Sequence, residues 1–317
     1  MRVRVTETKA LTDSVRLIQL ERADGTLLPP FAAGSHIELT FRVGEKTLRR
    51  KYSLVSSSKG GLHYQIAVKK SSNGRGGSVF LHDALAIGAE LEASEPIDEF
   101  SIVPGAKHHV LIAGGIGITP ILSIASRLSE SGSSYELHYS ARRRSDMAFH
   151  DHLSNQDRDK TTFYFTESAP FRRIDVDRLL AAHVEQLDTH VYVCGPAQFI
   201  DKVRLAAGAA GIHKQRVHFE GFGPGWRATD STVRLTLTTS RIDLAVEPGT
   251  TLLDAMEQAG VWIASDCRRG ECGACITDFT SGTPLHRDHC LTEEQRMHSF
   301  CPCVSWASSE QVLTLQI

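Results

Sequence analysis

Three cysteines fall within nine residues in the stretch DCRRGECGACITDF (266–279), spaced Cys-x4-Cys-x2-Cys. No other feature limits the fold as tightly. Seven cysteines occur in all, at 194, 267, 272, 275, 290, 301 and 303, and five of them follow residue 270. A secreted disulfide framework spreads its cysteines more evenly. In a reducing compartment a local cluster points to metal. Cys267, Cys272 and Cys275, with a further cysteine arriving late in FCPCVSWA, match the plant-type ferredoxin spacing for a [2Fe–2S] cluster held by four thiolates. Such a cluster draws three sulfurs from one tight loop, and Gly270 and Gly273 permit the bend. Small Ala274 lets backbone N–H groups approach the sulfides. Spacing alone leaves Cys301 and Cys303 as candidates for the fourth ligand. Structural zinc is the rival reading, but zinc sites usually pair two Cys-x2–4-Cys knuckles. His286, His289 and Cys290 have an H-x2-H-C spacing that fits no common site. No Cys-x-His pair for a Rieske cluster is present.

The chain has 317 residues, enough for two or three domains. Residues 1–103 read as mostly strand, in VRVTETKAL, SVRLIQLER, SHIELTFRV, KTLRRKYSLVS and LHYQIAVKK, which suggests an antiparallel barrel or sandwich. A helix at about SVFLHDAL follows the glycines of NGRGGS. Residues 104–223 alternate strands with helices, the pattern of a parallel α/β sheet with right-handed crossovers. GFGPGWRATDST, about 221–232, reads as a linker. Residues 224–317 begin with a hairpin and a short helix, carry the cysteine loop, and close with the strand VLTLQI. The net charge of −2 gives no reason to expect nucleic acid or an anionic membrane as partner. No apolar run reaches membrane-spanning length and no signal-peptide core opens the chain, so the expected setting is cytoplasmic. A monomer is expected.

AGGIGITP (113–120) follows the strand HHVLI and precedes the helix ILSIASRL. A nucleotide pyrophosphate suits such a helix N-terminus; a plain tight strand-to-helix turn has the same look. Pro120 stands where a third glycine could be, and proline is comfortable in a first helical turn. The usual acidic residue closing the second strand is missing. Ser140, Arg142, Arg143 and Arg144 stand there instead, and arginines can receive a 2′-phosphate, which would favour NADPH. Cys194, Gly195 and Pro196 end a later strand, where ligands collect in such sheets; Cys194 alone reads as a packed core thiol. In the first segment, Arg50 and Tyr52 share a strand face beside Ser53. A cation, a ring and a hydroxyl suit a planar phosphorylated cofactor, although a solvated sheet face looks the same. Arg75, Gly76, Gly77 and Ser78 then offer a second phosphate contact at a helix start.

Taken in order, these pieces resemble the phthalate dioxygenase reductase family, which includes the vanillate demethylase reductases. The resemblance spans nearly the whole chain: R-x-Y-S-L (50–54), A-V-K (67–69), R-G-G-S (75–78), G-G-I-G-I-T-P (114–120), C-G-P (194–196), F-E-x-F (219–222) and the ferredoxin cysteines. It implies an N-terminal flavin-binding barrel, a central Rossmann-like NAD domain and a C-terminal β-grasp ferredoxin, with FMN more usual than FAD and NADH more usual than NADPH. Carried over residue by residue, Arg50, Tyr52 and Ser53 would line the isoalloxazine and ribityl chain. Ala67, Val68 and Lys69 would contact the flavin through backbone, and Arg75, Gly76, Gly77 and Ser78 would bind its phosphate. Gly114, Gly115, Gly117, Arg142, Cys194, Gly195 and Pro196 fall to the dinucleotide, and Thr119 lies near the flavin. Phe222 would cover part of the ring while Glu220 holds that segment. The family places its fourth cluster ligand directly before V-S-x-A, which selects Cys303 and leaves Cys290 and Cys301 as half-exposed or buried thiols.

The expected function follows from matching electron currencies. Nicotinamide gives up two electrons as hydride and an iron–sulfur cluster accepts one at a time, so the flavin stands between them. No side chain need act as acid or base. The expected acceptor is a Rieske non-haem iron oxygenase. The alternatives are a haem monooxygenase as acceptor, or a non-enzymatic flavin and iron–sulfur redox sensor.

Overall fold

The computed structural model describes the chain except residues 56–60, 72–75, 170, 187, 223–226, 228 and 310, and the side chain of Lys46. It divides into two compact units, Met1–Gly221 and Phe222–Ile317.

The first unit opens with β1 (Arg2–Thr12), β2 (Val15–Arg22), β3 (His36–Val43), β4 (Lys46–Ser53) and β5 (His63–Lys69). After the short helix α1 (Gly77–Asp83) comes β6 (Glu90–Ala93). These six strands make one antiparallel sheet in the order β4-β3-β6-β1-β2-β5, and a bridge between Leu54 and Ile66 brings its two edges together as a barrel. Period-2 alternation explains the closure, because Val3, Val5, Ile18, Leu20, Ile37 and Leu39 all point inward and are buried. Each such side chain contributes about 1.5–3 kcal/mol on burial.

The same unit continues with β7 (His108–Gly114), α2 (Ile118–Glu130), β8 (Ser134–Ala141), α3 (His150–Gln156) and β9 (Thr161–Phe165). Then come α4 (Val176–Ala181), β10 (Thr189–Gly195), α5 (Ala197–Ala209) and β11 (Val217–Gly221). Every strand pair is parallel, in the order β11-β10-β7-β8-β9. The near-continuous burial of β7 and β10 fits strands covered on both faces. Ile118, Ile121, Leu122, Ala125 and Leu128 form the buried stripe of α2 at helical spacing. The chain turns in opposite directions on either side of β7, so a switch point lies between β7 and β10.

In the second unit, β12 (Val233–Leu237) pairs antiparallel with β13 (Ile242–Val246) and parallel with the last strand, β18 (Val312–Leu315). Helix α6 (Leu252–Gln258) buries Leu252 and Met256 in the core of that sheet, beside Trp306 and Phe300. Four two-residue strands, β14 (Thr277–Asp278), β15 (Pro284–Leu285), β16 (Ser299–Phe300) and β17 (Trp306–Ala307), frame the segment between. A capping box on Thr292 and Gln295 starts α7 (Glu293–Arg296). The hairpin, helix, loop and closing strand are the β-grasp ferredoxin arrangement.

Candidate electron-transfer sites

Arg268 ties the cysteine loop to α6. Arg268 donates to Asp254 Oδ1 at 2.9 Å and to Ser265 Oγ at 3.3 Å, and it pairs with Glu257. Thr251 caps the same helix by accepting from the Asp254 N–H at 2.9 Å. These anchors hold Arg268 at φ +52°, a conformation an L-residue adopts only under constraint. Two residues on, Gly270 has φ +73°, and a Cβ there would stand 2.6 Å from Val304 Cγ2 and 3.0 Å from Asp288 Cα. Only glycine fits. The His289 N–H returns to the Gly270 carbonyl at 2.8 Å, so the 286–291 segment braces the turn.

The bend aims backbone donors at sulfur. Cys267 Sγ accepts from the Arg269 N–H at 3.3 Å and the Cys272 N–H at 3.4 Å, and Cys272 Sγ accepts from the Ala274 N–H at 3.5 Å. Cys267, Cys275 and Cys303 are buried and Cys272 is exposed. The Cys275 thiol is pushed down to about 3, first by a hydrogen bond from Cys301 and then by one from Cys303. Those two thiols are pushed up, chiefly by the same pairing with Cys275 and then by burial. Cys303 also lies within the field of Cys267 and takes the Gly270 N–H. Cys301 also meets Cys275, and its Sγ is 3.5 Å from Cys290 Sγ. Both late cysteines therefore adjoin the loop, and Cys303 meets two of its sulfurs, Cys275 and Cys267. Crowded thiols with backbone N–H groups aimed at Cys267, Cys272 and Cys303 form a donor set suited to a thiolate-bound [2Fe–2S] cluster.

In the first unit a cavity of about 270 Å3 opens at the carboxyl ends of the parallel strands. It brings together Gly114, Gly115, Arg142 and Pro196 from the α/β half and Lys69 from the end of β5. Gly117 stands behind it. A Cβ on Gly117 would meet the Cys194 carbonyl oxygen at 2.3 Å, so glycine lets the β7–α2 turn press against β10 at the switch point. Cys194 is wholly buried, and Thr119 is buried with its hydroxyl donating to the Ile116 carbonyl at 3.1 Å. Sequence reading missed Asp146. It lies five residues beyond β8, lines the same cavity, and sits 3.7 Å from Arg142 Nε. Arg143 and Arg144 face Glu167 and Asp151 instead, at 3.8 and 3.6 Å.

On the barrel, Arg50 lies against the start of α1, its Nε 3.3 Å from where a Gly77 Cβ would be, and Tyr52 packs against the barrel core. Burial pushes the Tyr52 hydroxyl up. Ser53 donates to Glu220 Oε2 at 3.2 Å, and Glu220 Oε1 is 3.9 Å from His36 Nδ1, so the end of β11 is strapped to β3 and β4. Ala67 and Val68 are buried, and the Val68 carbonyl is 2.7 Å from His82 Nε2. Ser78 Oγ accepts from the Ser71 N–H at 3.1 Å, and Gly76 caps α1. Arg75 lies outside the described residues. Phe222, the first residue of the second unit, is exposed.

An antiparallel flavin-type barrel, a parallel sheet with a cavity at its switch point, and a ferredoxin-type thiol ring define an iron–sulfur flavoprotein oxidoreductase. Three family models tile the chain: an oxidoreductase FAD-binding domain over 2–102, a dimethylamine monooxygenase subunit DmmA-like N-terminal domain over 91–217, and a 2Fe-2S iron-sulfur cluster binding domain over 235–308. A haem-dependent oxidative N-demethylase beta subunit of Ectopseudomonas mendocina is 36% identical, covering 98% of this chain and 97% of its own. A vanillate O-demethylase oxidoreductase of a Pseudomonas species is 35% identical over 96% of each. The solved structure of a phthalate dioxygenase reductase superposes with a TM-score of 0.78 at 32% identity, covering 100% of this chain and 98% of that one. The chain belongs to the phthalate dioxygenase reductase and vanillate O-demethylase oxidoreductase family of oxygenase reductases.

Proposed function

We propose that this chain takes hydride from NADH onto FMN and passes single electrons through a [2Fe–2S] cluster to a Rieske-type non-haem iron oxygenase. The observation that carries the reading is the switch-point cavity. One wall is Gly114 and Gly115 at the carboxyl end of β7 with Pro196 just past β10, and the other is barrel: Ser14, Val15 and Lys69. A nicotinamide held there lies against the flavin-binding half of the unit. Flavin supplies the conversion between paired and single electrons when bound.

The chain's own residues bind and orient. The turns at Gly114, Gly115 and Gly117 and at Cys194, Gly195 and Pro196 offer backbone to the dinucleotide. Arg142 offers charge to its phosphates. Asp146 is the carboxylate that accepts from ribose hydroxyls and opposes a 2′-phosphate, which supports NADH over NADPH. Arg50, Tyr52, Ser53, Gly76, Gly77 and Ser78 hold FMN, with Glu220 fixing the Ser53 hydroxyl. Ala67, Val68 and Lys69 present backbone to the ring. Cys267, Cys272, Cys275 and Cys303 ligate the cluster, with the Arg269, Cys272 and Ala274 amides tuning its sulfurs.

A second reading of the acceptor is favoured by two observations: the haem-dependent N-demethylase relative and the dimethylamine monooxygenase match over 91–217. In that reading a haem-dependent oxygenase receives the electrons. Stopped-flow mixing of the NADH-reduced holoprotein with a purified Rieske oxygenase and with a purified haem-dependent N-demethylase decides between them. Rapid bleaching of the Rieske chromophore supports the first reading, and a Soret shift alone selects the second. No NADH oxidation with either, or with cytochrome c, refutes both.

A further inference from the structure

At the amino edge of the parallel sheet, away from the nucleotide cavity, three imidazoles converge on one carboxylate. Alternation puts Ser134, Glu136 and His138 on one face of β8, and register sets His108 at the start of β7 beside Ser134. His183, two residues past α4, reaches the same point. Glu136 Oε1 is 2.6 Å from His183 Nε2 and 3.8 Å from His108 Nε2, and Oε2 is 3.3 Å from His138 Nε2. The donor atoms of His108, Glu136 and His183 all lie within 4.8 Å of one another.

The far sides of the rings are tied down. His108 Nδ1 is 2.8 Å from Ser134 Oγ, His138 Nδ1 is 2.9 Å from the Tyr164 hydroxyl, and His183 Nδ1 is 3.3 Å from Gln186 Oε1. Thr189 Oγ1 donates to that same Gln186 oxygen at 3.2 Å, which fixes it as an acceptor. His183 Nδ1 therefore donates to Gln186, which leaves its Nε2 facing Glu136 Oε1 at 2.6 Å, and the His108 and His183 rings stack with centroids 5.4 Å apart. Two ligand atoms of one tetrahedral ion stand ~3.3 Å apart, so ligation needs only a small opening of that pair. His138 Nε2, on a side chain only 9% exposed, and Glu136 Oε1 have no aligned hydrogen bond among the described residues. One divalent ion answers all of these nitrogens at once, and outer-sphere oxygens on the opposite ring nitrogens are the usual support for metal-bound histidine.

We propose that His108, His183 and Glu136, with His138 against the second carboxylate oxygen, form a binding site for a divalent first-row metal ion of the zinc type. The ion staples the α4–β10 connection to β7 and β8. It lies outside the electron path, so its test is independent of NADH oxidation.

The test equilibrates the holoprotein with zinc chloride and measures zinc and iron per chain, alongside His183→Gln, His108→Gln, Gln186→Ala and Cys290→Ser. Wild type and Cys290→Ser retain ~1 zinc per chain, and Tm rises with zinc concentration. Affinity falls at least ~10-fold in His183→Gln and ~10–100-fold in Gln186→Ala. Iron content and NADH oxidation stay unchanged. The proposal is overturned if wild type retains no zinc, if His183→Gln retains as much, or if Cys290→Ser alone loses it, which would place the ion at Cys290 and Cys301. Should His183→Gln lose iron, the more exposed His108→Gln decides the matter by the same criteria.

Discussion

Replacing Gly270 with alanine is the sharpest way to break the thiol ring without touching a sulfur. The left-handed backbone at φ +73° costs an L-residue about 1–2 kcal/mol. The added methyl meets Val304 Cγ2 at 2.6 Å and Asp288 Cα at 3.0 Å, and both neighbours are hydrogen-bonded in place, Asp288 to Leu291 and Arg296 and the Val304 N–H to the Cys301 carbonyl. Overpacking of that kind costs about 1–3 kcal/mol, so the loop between Cys267 and Cys272 takes about 2–5 kcal/mol in all. Gly273 is the internal control. Its φ is +74°, yet a methyl there meets the flexible tip of Ile276 at 3.3 Å and Cys290 Sγ at an ordinary 3.8 Å, so the penalty stays near the backbone cost of about 1–2 kcal/mol. The difference, roughly 1–3 kcal/mol, corresponds to about 5–150-fold in cluster retention. Iron and acid-labile sulfide per chain measure it, with NADH-dependent ferricyanide reduction reporting the first unit. Gly270→Ala loses the cluster and its cytochrome c reduction while ferricyanide reduction persists, and Gly273→Ala loses much less. Full loading of Gly270→Ala, or a reversed order of the two variants, refutes the steric reasoning.

Asp146→Ala shifts nucleotide preference toward NADPH by about tenfold in kcat/KM ratio, about 1.4 kcal/mol, and steady-state kinetics with both nucleotides check it. Arg50→Ala removes a charge-assisted flavin contact worth about 1.5–3 kcal/mol, so flavin content after gel filtration falls at least ~10-fold while iron is retained. Burial pushes His109 and His218 down to about 4, so both stay neutral in the fold although each protonates near 6.5 when unfolded. The unfolded chain binds more protons between those values, so their stabilising effect is full above about pH 6.5 and declines as pH falls toward 4. His109→Gln flattens that decline by up to about 2 kcal/mol, read from urea midpoints at pH 5 and pH 7.5; an unchanged slope contradicts it.

Cysteine spacing and the strand–turn–helix order made the ferredoxin loop and the parallel sheet legible, because both depend on local residue patterns. Contacts made by chain return were not. β6 carries only Glu90–Ala93, too short for alternation to register, yet it sits between β1 and β3. Asp146 reaches the cavity through a turn beyond β8, outside the fixed spacing by which a ribose carboxylate is sought. The Ser53–Glu220 hydrogen bond spans 167 positions, so motifs could name both residues without showing that they touch. Cys301 and Cys303 flank one proline, and spacing could not separate them; in the fold Cys301 meets Cys275 and Cys290, whereas Cys303 meets Cys275 and Cys267. The three-histidine cluster draws from β7, β8 and the α4–β10 connection, with no motif in any of them.

Cys303→Ser and Cys301→Ser, purified anaerobically and reduced with NADH, put the thiol ring to the most direct test, by iron and sulfide content with EPR. Wild type and Cys301→Ser should each hold ~2 iron and ~2 sulfide per chain and give the signal of a reduced [2Fe–2S] cluster, while Cys303→Ser loses that signal or changes it. Zinc in place of iron, or loss in Cys301→Ser with Cys303→Ser intact, would contradict the account.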